Sequence, residues 1–131
     1  RPFWRAARLP TDGAAPFDLL EFAHDFAQAQ ALLLDAYVQG YGGGGRTFDW
    51  SQLPANIPAH LVLAGGLTPA NVSTGIAALR GRGLSLAVDV SSGVEADGPD
   101  GQPLKGIKDA DKIDRFVAAV RAADAAYPYL P

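Results

Sequence analysis

The sequence predicts an α/β protein built on a parallel sheet. Three short apolar runs end in Asp, Gly or Ser, as buried parallel strands do, and segments of helical period lie among them. The order is strand, helix, strand, long loop, strand, helix, strand, loop, helix, which implies right-handed crossovers between parallel neighbours. At 131 residues the chain amounts to one domain or part of one.

The predicted strands are Ala31 to Ala36, His60 to Gly66 and Leu84 to Ser92, with a weaker candidate at Phe3 to Leu9, where Arg5 and Arg8 interrupt the apolar pattern. Leu19, Phe22, Ala23 and Phe26 repeat at helical spacing, as do Val72, Ile76 and Leu79. Ile113, Phe116, Val117 and Val120 form the cleanest stripe. Thr68-Pro69 offers a cap hydroxyl followed by proline at a helix start, and Asp109 caps the last helix. Tyr37 to Pro58 reads as loop, because Gly42 to Gly45 cannot sustain regular structure cheaply. Ala96 to Gly106 also reads as loop, with turn signals at Gly98-Pro99 and Asp100-Gly101. Four such strands suit a small open sheet or half of an eight-stranded barrel. A complete barrel needs at least about 200 residues.

Composition narrows the function classes. Hydrophobic residues make up 48% and charged residues 19%, a globular balance. The net charge of −3 argues against a broad nucleic-acid surface but leaves room for a local anion site. With no Cys there is no disulfide, thiolate zinc site or cysteine nucleophile in these residues, which is compatible with a cytoplasmic protein. No apolar run approaches the ~18 residues of a membrane span, and the start does not resemble a signal peptide. The chain also lacks Met and begins with Arg1, so an excerpt, a processed piece or an engineered fragment is expected.

Three strand ends carry candidate chemistry. Asp35 closes an apolar strand where α/β ligands bind, and a carboxyl there suits a general acid; the same position suits a loop-capping Asp. Gly65-Gly66, between a strand and Thr68-Pro69, let backbone N–H groups approach an anion, or make a tight turn. Ser91-Ser92-Gly93 end the next unit with small, donor-rich residues. Together these two loops match the usual phosphate site of parallel barrels, a more specific signal than either alone. Asp89, inside the last strand, either meets a substrate hydroxyl or amine or pairs with a buried Arg. Gly40 to Thr47 nearly spells a nucleotide-binding P-loop, but Arg46 stands in place of the lysine and no helix can follow. A mobile active-site loop containing Gly43, Gly44, Gly45 and Arg46 fits better. His24 and His60 have no partners at metal-ligand spacing, so no metal site is expected.

Leu32-Leu33-Leu34-Asp35, the Gly-rich stretch ending Arg46-Thr47-Phe48-Asp49-Trp50, Leu63-Ala64-Gly65-Gly66-Leu67-Thr68-Pro69-Ala70-Asn71-Val72, and Val88-Asp89-Val90-Ser91-Ser92-Gly93-Val94-Glu95 resemble the phosphoribosylanthranilate isomerase family of tryptophan biosynthesis. The resemblance runs from about Phe3 to Val120. It implies a (β/α)₈ TIM barrel, with residues 1–126 as the last four βα units, a C-terminal half-barrel, and residues 127–131 as an irregular tail. It implies an Amadori rearrangement, an aldose–ketose isomerisation of N-(5-phosphoribosyl)anthranilate to 1-(2-carboxyphenylamino)-1-deoxyribulose 5-phosphate, without cofactor. By the same resemblance Asp35 is the general acid, Gly65, Gly66, Ser92 and Gly93 hold phosphate, and Asp89 faces the sugar and amine.

The family's general base is a Cys on its first strand, which has no counterpart here. The chain alone is therefore expected to be inactive and to need an N-terminal half-barrel or a second copy. Gly44 and Arg46 depart from the family's usual Thr and Lys, and Asp97 to Gly106 is longer than the usual connection. The rival readings are another phosphosugar barrel enzyme and a non-catalytic phosphate-binding half-barrel.

Overall fold

The computed structural model describes residues 1–9, 17–35 and 53–127. Its main sheet holds four parallel strands in sequential order: β1 (Trp4–Arg8), β2 (Ala31–Asp35), β3 (His60–Ala64) and β4 (Ser85–Val88). Helices α1 (Leu19–Asp25) and α2 (Val72–Leu79) cross over from β1 to β2 and from β3 to β4. A 3-10 turn (Ser92–Val94), an antiparallel hairpin of β5 (Glu95–Asp97) and β6 (Pro103–Lys108), and helix α3 (Ala110–Ala126) follow.

Side-chain alternation divides the sheet into two faces. Leu32, Leu34, Leu61 and Leu63 are almost fully buried on one face, with Ala7 and Leu9 of the first strand unit. They share one core cluster with Leu19 and Ala23 of α1, Val72, Ile76 and Leu79 of α2, and Phe116 and Ala123 of α3. The alternate residues lie on the other face. Val62 and Ala64 are buried there outside that cluster, whereas Trp4 is 58% exposed and Ala6 and Arg8 are exposed too.

The weak candidate at Phe3 to Leu9 forms edge strand β1. Its ladder extends past both ends, from Gln30 N–H to Phe3 O (2.7 Å) and from Leu9 N–H to Asp35 O (2.9 Å). Arg5 is accommodated because its guanidinium lies 4.4 Å over the Phe26 ring. The other strands end earlier than the apolar runs do. β3 stops at Ala64 because Gly65 and Gly66 take positive φ (81° and 67°) and leave the pleat. β4 stops at Val88, although Asp89 N–H still donates to Leu63 O at 2.9 Å.

The expected loop from Ala96 to Gly106 is corrected: most of it is paired as hairpin β5–β6. The turn signals stand at its tip, where Gly101 has φ 78° and Gly98 N–H donates to Gln102 O at 2.7 Å. The flanking residues show no period-2 apolar pattern, because all of β6 is exposed on both faces. Thr68 caps a turn before α2 rather than α2 itself, accepting from Ala70 N–H (3.2 Å) and Asn71 N–H (3.3 Å). Asp109 caps α3 as expected, accepting from Lys112 N–H at 3.1 Å. Of the long connection after β2, the described part buries Leu53 and Ile57, with Arg82 bonded to the Leu53 carbonyl.

Leu63→Ala empties a fully buried site between the sheet and its helices. It is expected to cost about 2–5 kcal/mol in the intact protein by urea denaturation, whereas Leu104→Ala on the exposed hairpin should stay within about 0.5 kcal/mol.

Candidate active site

The C-terminal edge of the sheet opens on a cleft of about 600 Å³. Alternation puts Leu33 and Asp35 on the face opposite the helix-side leucines, and both line the cleft. Asp35 is half-buried and stands in register between Arg8 of β1 and Ala64 of β3. The next wall is Ala64 to Leu67, followed by Asp89 to Gly93 from the end of β4. The cleft therefore brings Asp35, Gly65, Gly66, Asp89, Ser92 and Gly93 together. Gly43, Gly44, Gly45 and Arg46 lie outside the described residues.

The two glycine-bearing loops are shaped by different constraints. At Gly66 the positive φ is the constraint, since an added Cβ would meet nothing within 4 Å. At Gly93 space is the constraint: a Cβ would collide with the Leu67 carbonyl and crowd Thr68 Cα. Gly93 is not among the positive-φ glycines, so only steric crowding, and not φ, requires glycine there. The close approach of the loops presents the start of the 3-10 turn to the cleft. The N–H groups of Ser92 and Gly93, first in that turn, have no acceptor within it. Such a lining of backbone donors suits an anion.

Hairpin β5–β6 supplies a further wall, Glu95, Gln102, Pro103 and Lys105, which the sequence reading did not single out. The signals present were the extra length after Asp97 and the cluster Lys105, Lys108 and Lys112. The hairpin is tied down by charge. Lys108 Nζ donates to Ser91 O (2.8 Å) and lies 3.4 Å from Glu95 Oε2, while Lys112 Nζ donates to Glu95 O (2.8 Å) and Asp97 Oδ1 (3.0 Å). Glu95 is buried, and its Oε2 also accepts from Gly106 N–H at 2.6 Å.

At the opposite end of the sheet, His60 Nδ1 and Ser85 Oγ are 2.7 Å apart, far from the cleft edge. Among the described residues no group of three or more His, Asp or Glu side chains is placed to hold a metal ion. No described helix is long and apolar enough to cross a membrane.

The hydrogen bond from Gly106 holds the Glu95 carboxyl below its ordinary value of 4.5; burial opposes this and the Lys108 charge reinforces it. A carboxyl lowered on folding adds stability that is present above 4.5 and lost as pH falls through the folded value. Glu95→Gln is thus expected to lower Tm at neutral pH, with the gap from wild type closing in melts below pH 4.5. A gap that stays constant down to acid pH would contradict this.

Known proteins resemble the chain over most of its length. The model of the family described as N-(5'phosphoribosyl)anthranilate (PRA) isomerase matches residues 13–119. The N-(5'-phosphoribosyl)anthranilate isomerase of Methylibium petroleiphilum is 57% identical over 125 residues, covering 95% of this chain and 52% of the relative. That of Leptothrix cholodnii is 52% identical over 125 residues, covering 95% and 50%. Among solved structures, the phosphoribosyl anthranilate isomerase of Thermococcus kodakaraensis is 32% identical with a TM-score of 0.54, over 92% of this chain and 52% of that one. A further phosphoribosyl anthranilate isomerase, solved in complex with reduced 1-(o-carboxyphenylamino)-1-deoxyribulose 5-phosphate, is 26% identical with a TM-score of 0.53, over 92% and 49%. The chain spans about half the length of the relatives it matches. The match of the family model over residues 13–119, together with the identity to these relatives over 95% of the chain, makes this chain a member of the N-(5'-phosphoribosyl)anthranilate isomerase family.

Proposed function

We propose that residues 1–126 form the last four βα units of a (β/α)₈ barrel and carry the acid and phosphate side of a phosphoribosylanthranilate isomerase site. The reaction is the Amadori rearrangement of N-(5-phosphoribosyl)anthranilate to 1-(2-carboxyphenylamino)-1-deoxyribulose 5-phosphate. One observation carries this reading: Asp35 and two donor-rich loops bound the same cleft at the C-terminal edge of a parallel sheet.

In this mechanism the backbone donors of Gly65, Gly66, Ser92 and Gly93 grip the phosphate and fix the ribose along the cleft. Asp35, in its protonated form, gives its proton to the furanose ring oxygen as the C1–O bond breaks, and the anthranilate nitrogen takes up the positive charge as a Schiff base. Loss of the C2 proton to a base gives an enolamine, which tautomerises to the ketone. Asp89 faces the reacting sugar and amine. Protonating the ring oxygen and accepting the C2 proton require different places and protonation states, so Asp35 does not perform both steps. The base comes from outside residues 1–131, on an N-terminal half-barrel. The reaction as written uses no cofactor.

In the full-length protein, Asp35→Asn is expected to lower kcat by about 10²–10⁴-fold with inorganic phosphate affinity close to wild type. Gly66→Val and Gly93→Val should instead act mainly on KM, the first through backbone strain at positive φ and the second through collision with Leu67. A kcat loss below about tenfold for Asp35→Asn would remove it from the acid role.

A polypeptide of residues 1–131 alone is expected to show no turnover by loss of anthranilate fluorescence, and to gain it when mixed with an N-terminal half from a relative. Turnover by these residues alone would point to Asp89, or a second copy's Asp35, as the base. Phosphate binding with no turnover even after mixing would favour a non-catalytic half-barrel.

A further inference from the structure

The proposed site contains more charge than the reaction scheme uses. Beside Asp35, which the reaction scheme uses in protonated form, Asp89 and Glu95 line the cleft, and a doubly charged phosphate would add to their charge. Backbone N–H groups offer partial charges only. Glu95 is already compensated by Lys108 and the Gly106 N–H. Among the described lining residues, Lys105 is the one cation; its charge is a minor influence on Glu95, behind Lys108, and it forms no ion pair among those seen between described residues.

Lys105 owes its position to hairpin β5–β6. Pro103 and Lys105 alternate onto the same side of β6, and both line the cleft. The hairpin register shifts between the Glu95–Lys108 and Asp97–Pro103 pairs, and Gly106 in that stretch has φ 84°. Such irregularities re-aim side chains beside sites. Lys108 bonds to the Ser91 carbonyl, so the strand that carries Lys105 is fastened to the loop that presents Ser92 and Gly93.

We propose that Lys105 is a second anchor for the substrate's phosphate, its ammonium meeting the phosphoryl oxygens from the hairpin side while the glycine loops hold them from the sheet. This rests on the isomerase reading for the substrate, but on the cleft alone for the phosphate. Lys105 binds and does not react, so it acts on affinity rather than on chemistry. Hairpin β5–β6 then serves as a specificity element that favours phosphorylated over unphosphorylated sugars.

The test is a titration of the full-length protein with inorganic phosphate, as wild type, Lys105→Gln and Lys105→Arg, alongside isomerase kinetics on the phosphoribosyl substrate. Lys105→Gln is expected to weaken phosphate binding by about three- to tenfold, and Lys105→Arg to stay within about twofold of wild type. KM should follow the phosphate affinity and kcat should hold. Equal phosphate affinity in wild type and Lys105→Gln overturns the proposal. So does a rise in KM without a loss of phosphate affinity, which would put Lys105 on the substrate's carboxylate. Loss of phosphate affinity in a protein whose wild type shows no isomerase turnover would sink the isomerase reading and leave the phosphate anchor standing.

Discussion

The burial of Leu32, Leu34, Leu61 and Leu63 against the helices is the constraint on which the rest of the structure depends. A strand has a side-chain period of two, so sending these leucines to one face sends Leu33 and Asp35 to the other. A slip of one residue would bury Asp35 under the helices and turn the leucines toward the cleft. Fully burying each leucine contributes on the order of 1.5–3 kcal/mol, so the pairing is strongly held. The direction of the proposed acid is thus a by-product of the apolar core.

The cleft's other walls depend on backbone contacts that allow little variation. The loop after β3 leaves the sheet through two successive positive-φ glycines, and the loop after β4 packs against it at Gly93 with no room for a side chain. Leu67 and Val94 anchor the two loops in the core, and Asn71 Nδ2 donates to Gly66 O at 2.9 Å. Their donors are further held by the parallel pairing of β3 with β4, which ends with Asp89 N–H on the Leu63 carbonyl. The hairpin is held differently, by lysine ammonium groups on carbonyls and carboxylates around Glu95. Burying Glu95 is tolerable because its carboxylate has a backbone donor and a cation beside it.

Much of this was legible in the sequence because the signals are local. The runs ending at Asp35, Gly65-Gly66 and Ser92-Gly93, the helical period of α3 and the Asp109 cap are each written within a few neighbouring residues, but of the expected α3 stripe only Phe116 is buried and Val120 half-buried, while Ile113 and Val117 are exposed. Alternation of strands and helices then suffices for a parallel sheet, and the strand-end residues for one cleft. The true strand ends were less legible, because apolarity continues through Val90 while the ladder is already finishing.

What the sequence by itself determined is the fold class, the strand runs and the strand-end residues of the cleft, since apolar runs and glycine conformation are intrinsic to the chain. Only the tertiary structure decided that Ala96 to Gly106 pairs as a hairpin, that Gly93 is required for lack of space, and that Glu95, Gln102 and Lys105 face the cleft. Each of these depends on a partner distant in sequence or on a shift in register. An exposed hairpin buries too little apolar surface to leave a hydrophobic pattern, and a steric limit set by the Leu67 carbonyl exists only once β3 and β4 lie side by side.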